Sequence, residues 1–287
     1  MRIPPLLRLL RPALAPTAAA DLFAGALFVS GVFAPILLPA ALGSMAIYMG
    51  GMALNDLCDR KRDAALFPHR PLVADPSLVG PARLLAAGLF ATGLLLHALS
   101  GVLLPGLLVA ALAAAYDFGA KRRFPLDAIT LGATRAANLC VGIWLVGGRL
   151  DTGSLTYALS YLCYIGGVTG ASRAEDLSRP GARRFALSLS ILPMLLALGG
   201  IASLVAASGR SAALLLPLVV VAASLVRALR EGSRAAMMRH VFACLATIYL
   251  FHGAALWLTG HVAGLLPVAG CALATLLLLR LPARGPA

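Results

Sequence analysis

The chain is written as long apolar runs broken by brief polar stretches. Runs near the length that lets a helix cross a bilayer, roughly 17–25 residues, fall at about 18–39, 41–57, 82–101, 103–118, 125–147, 154–172, 186–207, 212–230, 240–258 and 262–280. They are rich in Leu, Ala and Gly and show no period-two alternation. The pattern therefore predicts helices rather than the alternating strands of a membrane barrel. The expected fold is all-α, a polytopic membrane helical bundle forming one domain over residues 1–287. Ten spans would put both termini on the same side. Nine is the alternative count, because the second and fourth runs are short and the connection around Thr259–His261 is brief. Small residues in GGMALN, LVAALAAAY and IGGVTGAS suit close helix packing in lipid.

Composition agrees with the pattern: 60% of residues are hydrophobic and 12% charged, far from the balance of a soluble domain. The net charge of +13 would suggest nucleic acid in a soluble protein, but the placement of the charge excludes that reading. When the connections are numbered alternately, all but Arg135, Arg149 and Arg210 of the 24 Lys and Arg residues fall on one side. By the positive-inside rule that face is cytoplasmic. The expected location is the cell inner membrane, multi-pass, with the lipid bilayer as partner and no nucleic acid. The five cysteines are scattered without a CxxC pair, so neither a disulfide nor a zinc site is expected. The start, MRIPPLLRLLRPALAP, reads as a cytoplasmic lead-in rather than a signal peptide.

The longest connections on the basic side follow the second and sixth runs, at about 58–81 and 173–185, and both begin with acids at a helix end. The first opens with NDLCDRKRD, residues 55–63. At about 100° per residue, Asp56, Asp59 and Asp63 share an arc of about 60°, with Asn55 near its edge. Three stacked carboxylates repel one another unless positive charge sits among them. Arg60, Lys61 and Arg62 offer that charge in an ordinary solvated loop. A hard divalent cation offers it too, since Mg2+ takes a few carboxylates together with substrate phosphates. The second stretch, TGASRAEDLSRPGARR, puts Ser172, Glu175, Asp176 and Arg179 on one helical face, with Arg173 beside them. Two such helix ends facing each other would suit a metal-bridged polyphosphate.

NDLCDRKRD followed by HRPL resembles the first aspartate-rich motif of the UbiA-type intramembrane prenyltransferases, NDxxDxxxD with a downstream Arg-Pro. YDFGAKRR matches the family's Tyr ahead of a Lys. The resemblance implies nine or ten transmembrane helices around a central cavity open to the cytoplasmic side. It implies that Asn55 and the metal ligands Asp56, Asp59 and Asp63 hold Mg2+ on an isoprenyl diphosphate. It further implies that Arg70 and Lys121 grip the diphosphate oxygens, and that a lipophilic or aromatic acceptor is alkylated. In the second motif, where the family usually has two aspartates four residues apart, this chain has Ser172 and Asp176, with Glu175 beside them. The resemblance assigns Asp176 to catalysis and metal binding, Glu175 to the metal, and Ser172 and Arg173 to substrate. The SRxE pattern and GATRAAN resemble the divergent UbiA-like branch of Ebo-type gene clusters. Two functions stand side by side: a Mg2+-dependent prenyltransferase, or a catalytically reduced relative that binds or transports a prenylated or aromatic metabolite.

Arg135 and Asn138 lie well inside a span. A buried Arg in lipid costs a few kcal/mol and must face the bundle interior or a wet cavity. It either pairs with Asp127 or a backbone carbonyl, or touches acceptor or phosphate from the cavity wall. Asp117 is spaced to orient Lys121 by i,i+4 pairing. Tyr157, Tyr161 and Tyr164 recur at helical spacing, as packing or as carbocation-stabilising rings. His69 sits beside Arg70, and the remaining histidines show no ligand spacing.

Overall fold

The computed structural model describes residues 4–173, 177, 180–206 and 215–280. Among the described residues there are twelve α-helices and no strand. They are α1 (Pro5–Leu9), α2 (Pro16–Ser30), α3 (Leu37–Leu66), α4 (Pro71–Ala74), α5 (Val79–Leu99), α6 (Leu103–Phe118), α7 (Leu126–Leu145), α8 (Thr152–Ser172), α9 (Pro180–Ala206), α10 (Leu215–Glu231), α11 (Arg234–Thr259) and α12 (Leu265–Arg280). Each of the ten apolar runs coincides with a long helix. Seven described segments are long and apolar enough to cross a membrane, the first running through α1 and α2 as Pro5–Ser30. Helices α6 and α10 fall short of that length, at 16 and 17 residues, and α8 carries many hydroxyl groups.

Helices α9 and α11 begin at Pro180 and Arg234, ahead of their apolar runs, and two further boundaries differ from the sequence pattern near the site. The first run is cut at Ser30, because Gly31 takes a left-handed conformation (φ 65°) that closes the helix C-terminus. The connection expected at 58–81 is largely helical. Charged residues at 59–63 do not end α3, which runs on to Leu66 before α4 and α5 begin at Pro71 and Val79. Asp, Arg and Lys are compatible with helix where their heads reach water or partners, so the acidic motif is part of a rigid rod of 30 residues.

Helix α2 is the axis of the bundle, buried from Pro16 to Phe28 and packed by α3, α7, α11 and α12. Its contact with α7 is backbone to backbone. A Cβ on Gly25 would collide with the carbonyl of Leu139, and one on Gly142 with the carbonyl of Leu22. Such small-residue contacts bring helices close where no hydrophobic effect separates protein from lipid tails. The outer helices expose leucines such as Leu84, Leu99, Leu104 and Leu266, as expected for surfaces that face lipid.

Candidate functional site

A cavity of about 860 Å³ opens among α3, α6, α7 and α8. Of the residues singled out from sequence, Asn55, Asp59, Asp63, Arg70, Lys121, Arg135, Asn138, Ser172 and Arg173 line it. Asp56 lies just behind this wall, 8% exposed. Glu175 and Asp176 lie outside the described residues.

The acidic motif is divided among three cations. Arg70 Nη1 donates to Asp63 Oδ2 at 2.7 Å and lies 3.5 Å from Asp56 Oδ1. Arg11 reaches the same Asp56 oxygen at 3.4 Å, from a left-handed backbone position (φ 45°) ahead of Pro12. On the other flank Lys121 Nζ is 3.0 Å from Asp59 and 3.3 Å from Asp117, and it donates to the Asn55 carbonyl at 3.4 Å. Asn55 Nδ2 donates to Asp117 at 2.7 Å. The i,i+4 pairing of Asp117 with Lys121 read from sequence is therefore present. The counter-charge includes residues outside the motif, while Arg60, Lys61 and Arg62 are exposed and the last two also line the cavity.

These oxygen donors are of the hard type that Mg2+ prefers. Among the described residues no three His, Cys, Asp or Glu side chains are close enough to enclose an ion by themselves. The donor set fits a cation that is completed by substrate phosphates, and it does not fit an all-protein cage.

Arg173 pairs with Asp127, whose other oxygen is buried without a partner among the described residues. Of the alternatives for Arg135, pairing with Asp127 is therefore not the one found. Asp127 sits in the first turn of α7, about 12 Å of helix axis before Arg135, and faces the end of α8 instead. Ser172 Oγ donates to the carbonyl of Thr169 on its own helix. His69 packs edge-on against Phe67, which Arg70 also covers.

Arg135 is held by Asp21, which sequence reasoning had missed. Its Nε and Nη2 lie 2.9 Å from the two Asp21 oxygens. Tyr161 donates to Asp21 at 2.6 Å, His252 Nε2 lies 3.1 Å from it, and Asn138 Nδ2 donates at 3.3 Å. Tyr157 meets His252 Nδ1 at 2.6 Å. The available signal was the acid itself, since an ionisable residue inside an apolar span marks a site by default. Tyr164 serves a different role, donating to the Cys244 carbonyl and stacking on Phe251.

The arrangement of motif, bundle and cavity matches a known family model. Residues 13–236 match the model described as the UbiA prenyltransferase family. The chain belongs to the UbiA prenyltransferase family. The membrane-embedded helical bundle is shared with solved UbiA-fold structures. One is the apo structure of a UbiA homolog from Aeropyrum pernix K1, at TM-score 0.68 and 20% identity over 84% of this chain and 96% of that one. Another is a digeranylgeranylglyceryl phosphate synthase, at TM-score 0.65 and 17% identity over 90% of this chain and 98% of that one. A search of curated protein sequences gives no match. Prenyl transfer within a membrane is thus the general activity class to which this UbiA-family chain belongs.

Proposed function

We propose that the protein transfers an isoprenyl group from an isoprenyl diphosphate to an aromatic or other lipophilic acceptor, with Mg2+ as cofactor. The reading takes residues 1–287 as one UbiA-like membrane domain in the cell inner membrane. The cavity mouth faces the cytoplasm, in keeping with the one-sided distribution of Lys and Arg. The observation that carries the reading is the mouth itself. Asp56, Asp59 and Asp63 stand there already paired with Arg70 and Lys121, two cations that a diphosphate can recruit.

Asp56, Asp59 and Asp63, with Glu175 and Asp176 as the second acidic group, would hold Mg2+, which when bound neutralises the diphosphate and makes it a better leaving group. As the diphosphate enters, Arg70 and Lys121 exchange carboxylate oxygens for phosphate oxygens, and these charge-assisted bonds strengthen as charge builds on the leaving group. Asn55 and Arg173 orient it. The allylic C–O bond breaks with its electron pair leaving on the diphosphate. The electron-rich acceptor bonds to the allylic carbon and gives up one proton. Ile47, Met52, Val109 and Leu131 on the cavity wall keep water from the cationic carbon.

Ser172 favours a second reading, a binding protein with reduced turnover. Its hydroxyl offers no carboxylate and is already bonded to Thr169. The two readings part in one experiment on the purified full-length protein in nanodiscs. Binding of geranyl diphosphate with and without Mg2+ is measured first, then alkylation across an acceptor panel. Asp56→Ala and Asp59→Ala are expected to abolish the Mg2+-dependent part of binding, and unchanged binding sinks the site assignment. Intact binding with no alkylation, gained on Ser172→Asp, selects the second reading.

A further inference from the structure

The cavity has a second polar end, deep in the bundle and away from the acids. The stretch of α3 from Tyr48 to Asp59 corresponds to about 16 Å of helix axis, so what binds at Tyr48 does not also touch the diphosphate cations. Arg135, Asn138, Ser44 and Tyr48 line this inner end.

The bonds of this cluster leave two groups open. Asn138 Oδ1 accepts from Ser44 at 2.6 Å, and its Nδ2 donates to the Ala18 carbonyl at 2.7 Å. Asp21 is fully buried and receives Arg135, Tyr161, Asn138 and His252. Arg135 spends Nε and Nη2 on Asp21 and Tyr161. Its Nη1 has no hydrogen-bond partner among the described residues, although the residue is only 8% exposed and lines the cavity. Tyr48 also lines the cavity, and its hydroxyl has no hydrogen-bond partner among the described residues. A guanidinium N–H that no protein acceptor takes, on a residue that lines the cavity, suits an oxygen on the ligand, and a ligand that seats there without offering one forfeits that bond.

Charge balance decides which oxygen. Asp21 and Arg135 compensate one another. His252 is satisfied as the neutral ring, with the Tyr157 hydroxyl donating to Nδ1 and Nε2–H donating to Asp21. The Asp21–Arg135 cluster is therefore neutral as a unit, and Arg11, the other cation whose field reaches Tyr48, is already paired with Asp56. A carboxylate placed there would add an uncompensated anion in a low-dielectric interior, whereas a carbonyl or hydroxyl oxygen would not.

We propose that the inner end of the cavity, through Arg135 Nη1 and the Tyr48 hydroxyl, binds the polar head of an acceptor whose oxygen is an uncharged carbonyl or hydroxyl rather than a carboxylate. The site rests on the prenyltransferase reading only for the word acceptor. The same geometry binds the same head whether or not transfer follows. Asp21 is then a positioning residue that holds Arg135 with one edge turned to the cavity.

The test uses full-length protein in nanodiscs and two probes of equal ring size, 4-hydroxyacetophenone and 4-hydroxybenzoate, with binding read by calorimetry at neutral pH. The ketone is expected to bind at least tenfold more tightly than the carboxylate. Tyr48→Phe, which removes a hydroxyl that bonds no other side chain, is expected to weaken ketone binding about three- to tenfold while leaving geranyl diphosphate binding unchanged. The charge-neutral pair Asp21→Asn with Arg135→Gln is expected to erase the preference for the ketone. Equal or tighter binding of the carboxylate, binding of neither probe, or a Tyr48→Phe protein indistinguishable from the parent overturns the proposal. Loss of Mg2+-dependent diphosphate binding with the ketone still bound would overturn the prenyltransferase reading and leave this one standing.

Discussion

Replacing Lys121 by Met keeps the length of the side chain and removes its charge. Lys121 is 7% exposed and lies between Asp59, 12% exposed, and Asp117, 4% exposed, at 3.0 and 3.3 Å. At the effective dielectric of such sites a contact pair is worth on the order of 4 kcal/mol in Coulomb energy before desolvation is charged against it. Removing one partner of a buried pair costs about 3–5 kcal/mol, because the other charge is stranded. Lys121→Met therefore strands two carboxylates and should lower the denaturation midpoint of the detergent-solubilised protein by that order. Adding Asp117→Asn should recover part of the loss, since one stranded charge is removed and the amide oxygen still accepts from Asn55. Millimolar Mg2+ should also raise the midpoint of Lys121→Met more than that of the parent, by linkage to the freed carboxylates. Geranyl diphosphate binding should fall about 10- to 100-fold, the worth of one charge-assisted bond. A single variant as stable as the parent in the absence of Mg2+, with no rescue in the double variant, would refute the ion-pair reasoning. Unchanged diphosphate affinity would refute the role of Lys121 in gripping substrate.

Gly142→Ala should destabilise the bundle by about 1–3 kcal/mol, because the new methyl meets the Leu22 carbonyl; Gly88→Ala, where a Cβ meets nothing within 4 Å, should be neutral or stabilising by thermal melt. Asp151 caps α8 by accepting from the Ser154 N–H at 2.8 Å and from its hydroxyl, and these bonds hold its carboxyl below the usual range. Asp151→Ala should cost about 1 kcal/mol near neutral pH. With the folded pKa depressed, that contribution is fully present above the unfolded value of about 3.9 and should be lost progressively as the pH of the melt falls from there through the lower folded value.

Much of the fold was legible because lipid permits so few solutions. A run of Leu, Ala and Gly with no alternation has to be a helix, and each of the ten runs is one. The shared face of Asp56, Asp59 and Asp63 was legible from helical phase alone. Which cations meet that face was not. Arg11, Arg70 and Lys121 reach it from three separate connections, so their arrival depends on how the segments after α1, before α4 and after α6 are placed. The partner of Arg135 was not legible for the same reason. Asp127 is near it in sequence, but Asp21 is brought to it by the contact of α2 with α7, a fact of glycine placement on two distant helices.

Helix α3 carries Ser44 and Tyr48 at the inner end of the cavity and Asn55 to Asp63 at its mouth, on one uninterrupted rod. It therefore serves as a ruler, with its graduations set by the α-helical rise of about 1.5 Å per residue. An acceptor anchored at Tyr48 meets the allylic carbon at a depth fixed by that spacing, so the proposal predicts that molecular length, and not only ring chemistry, selects what is alkylated.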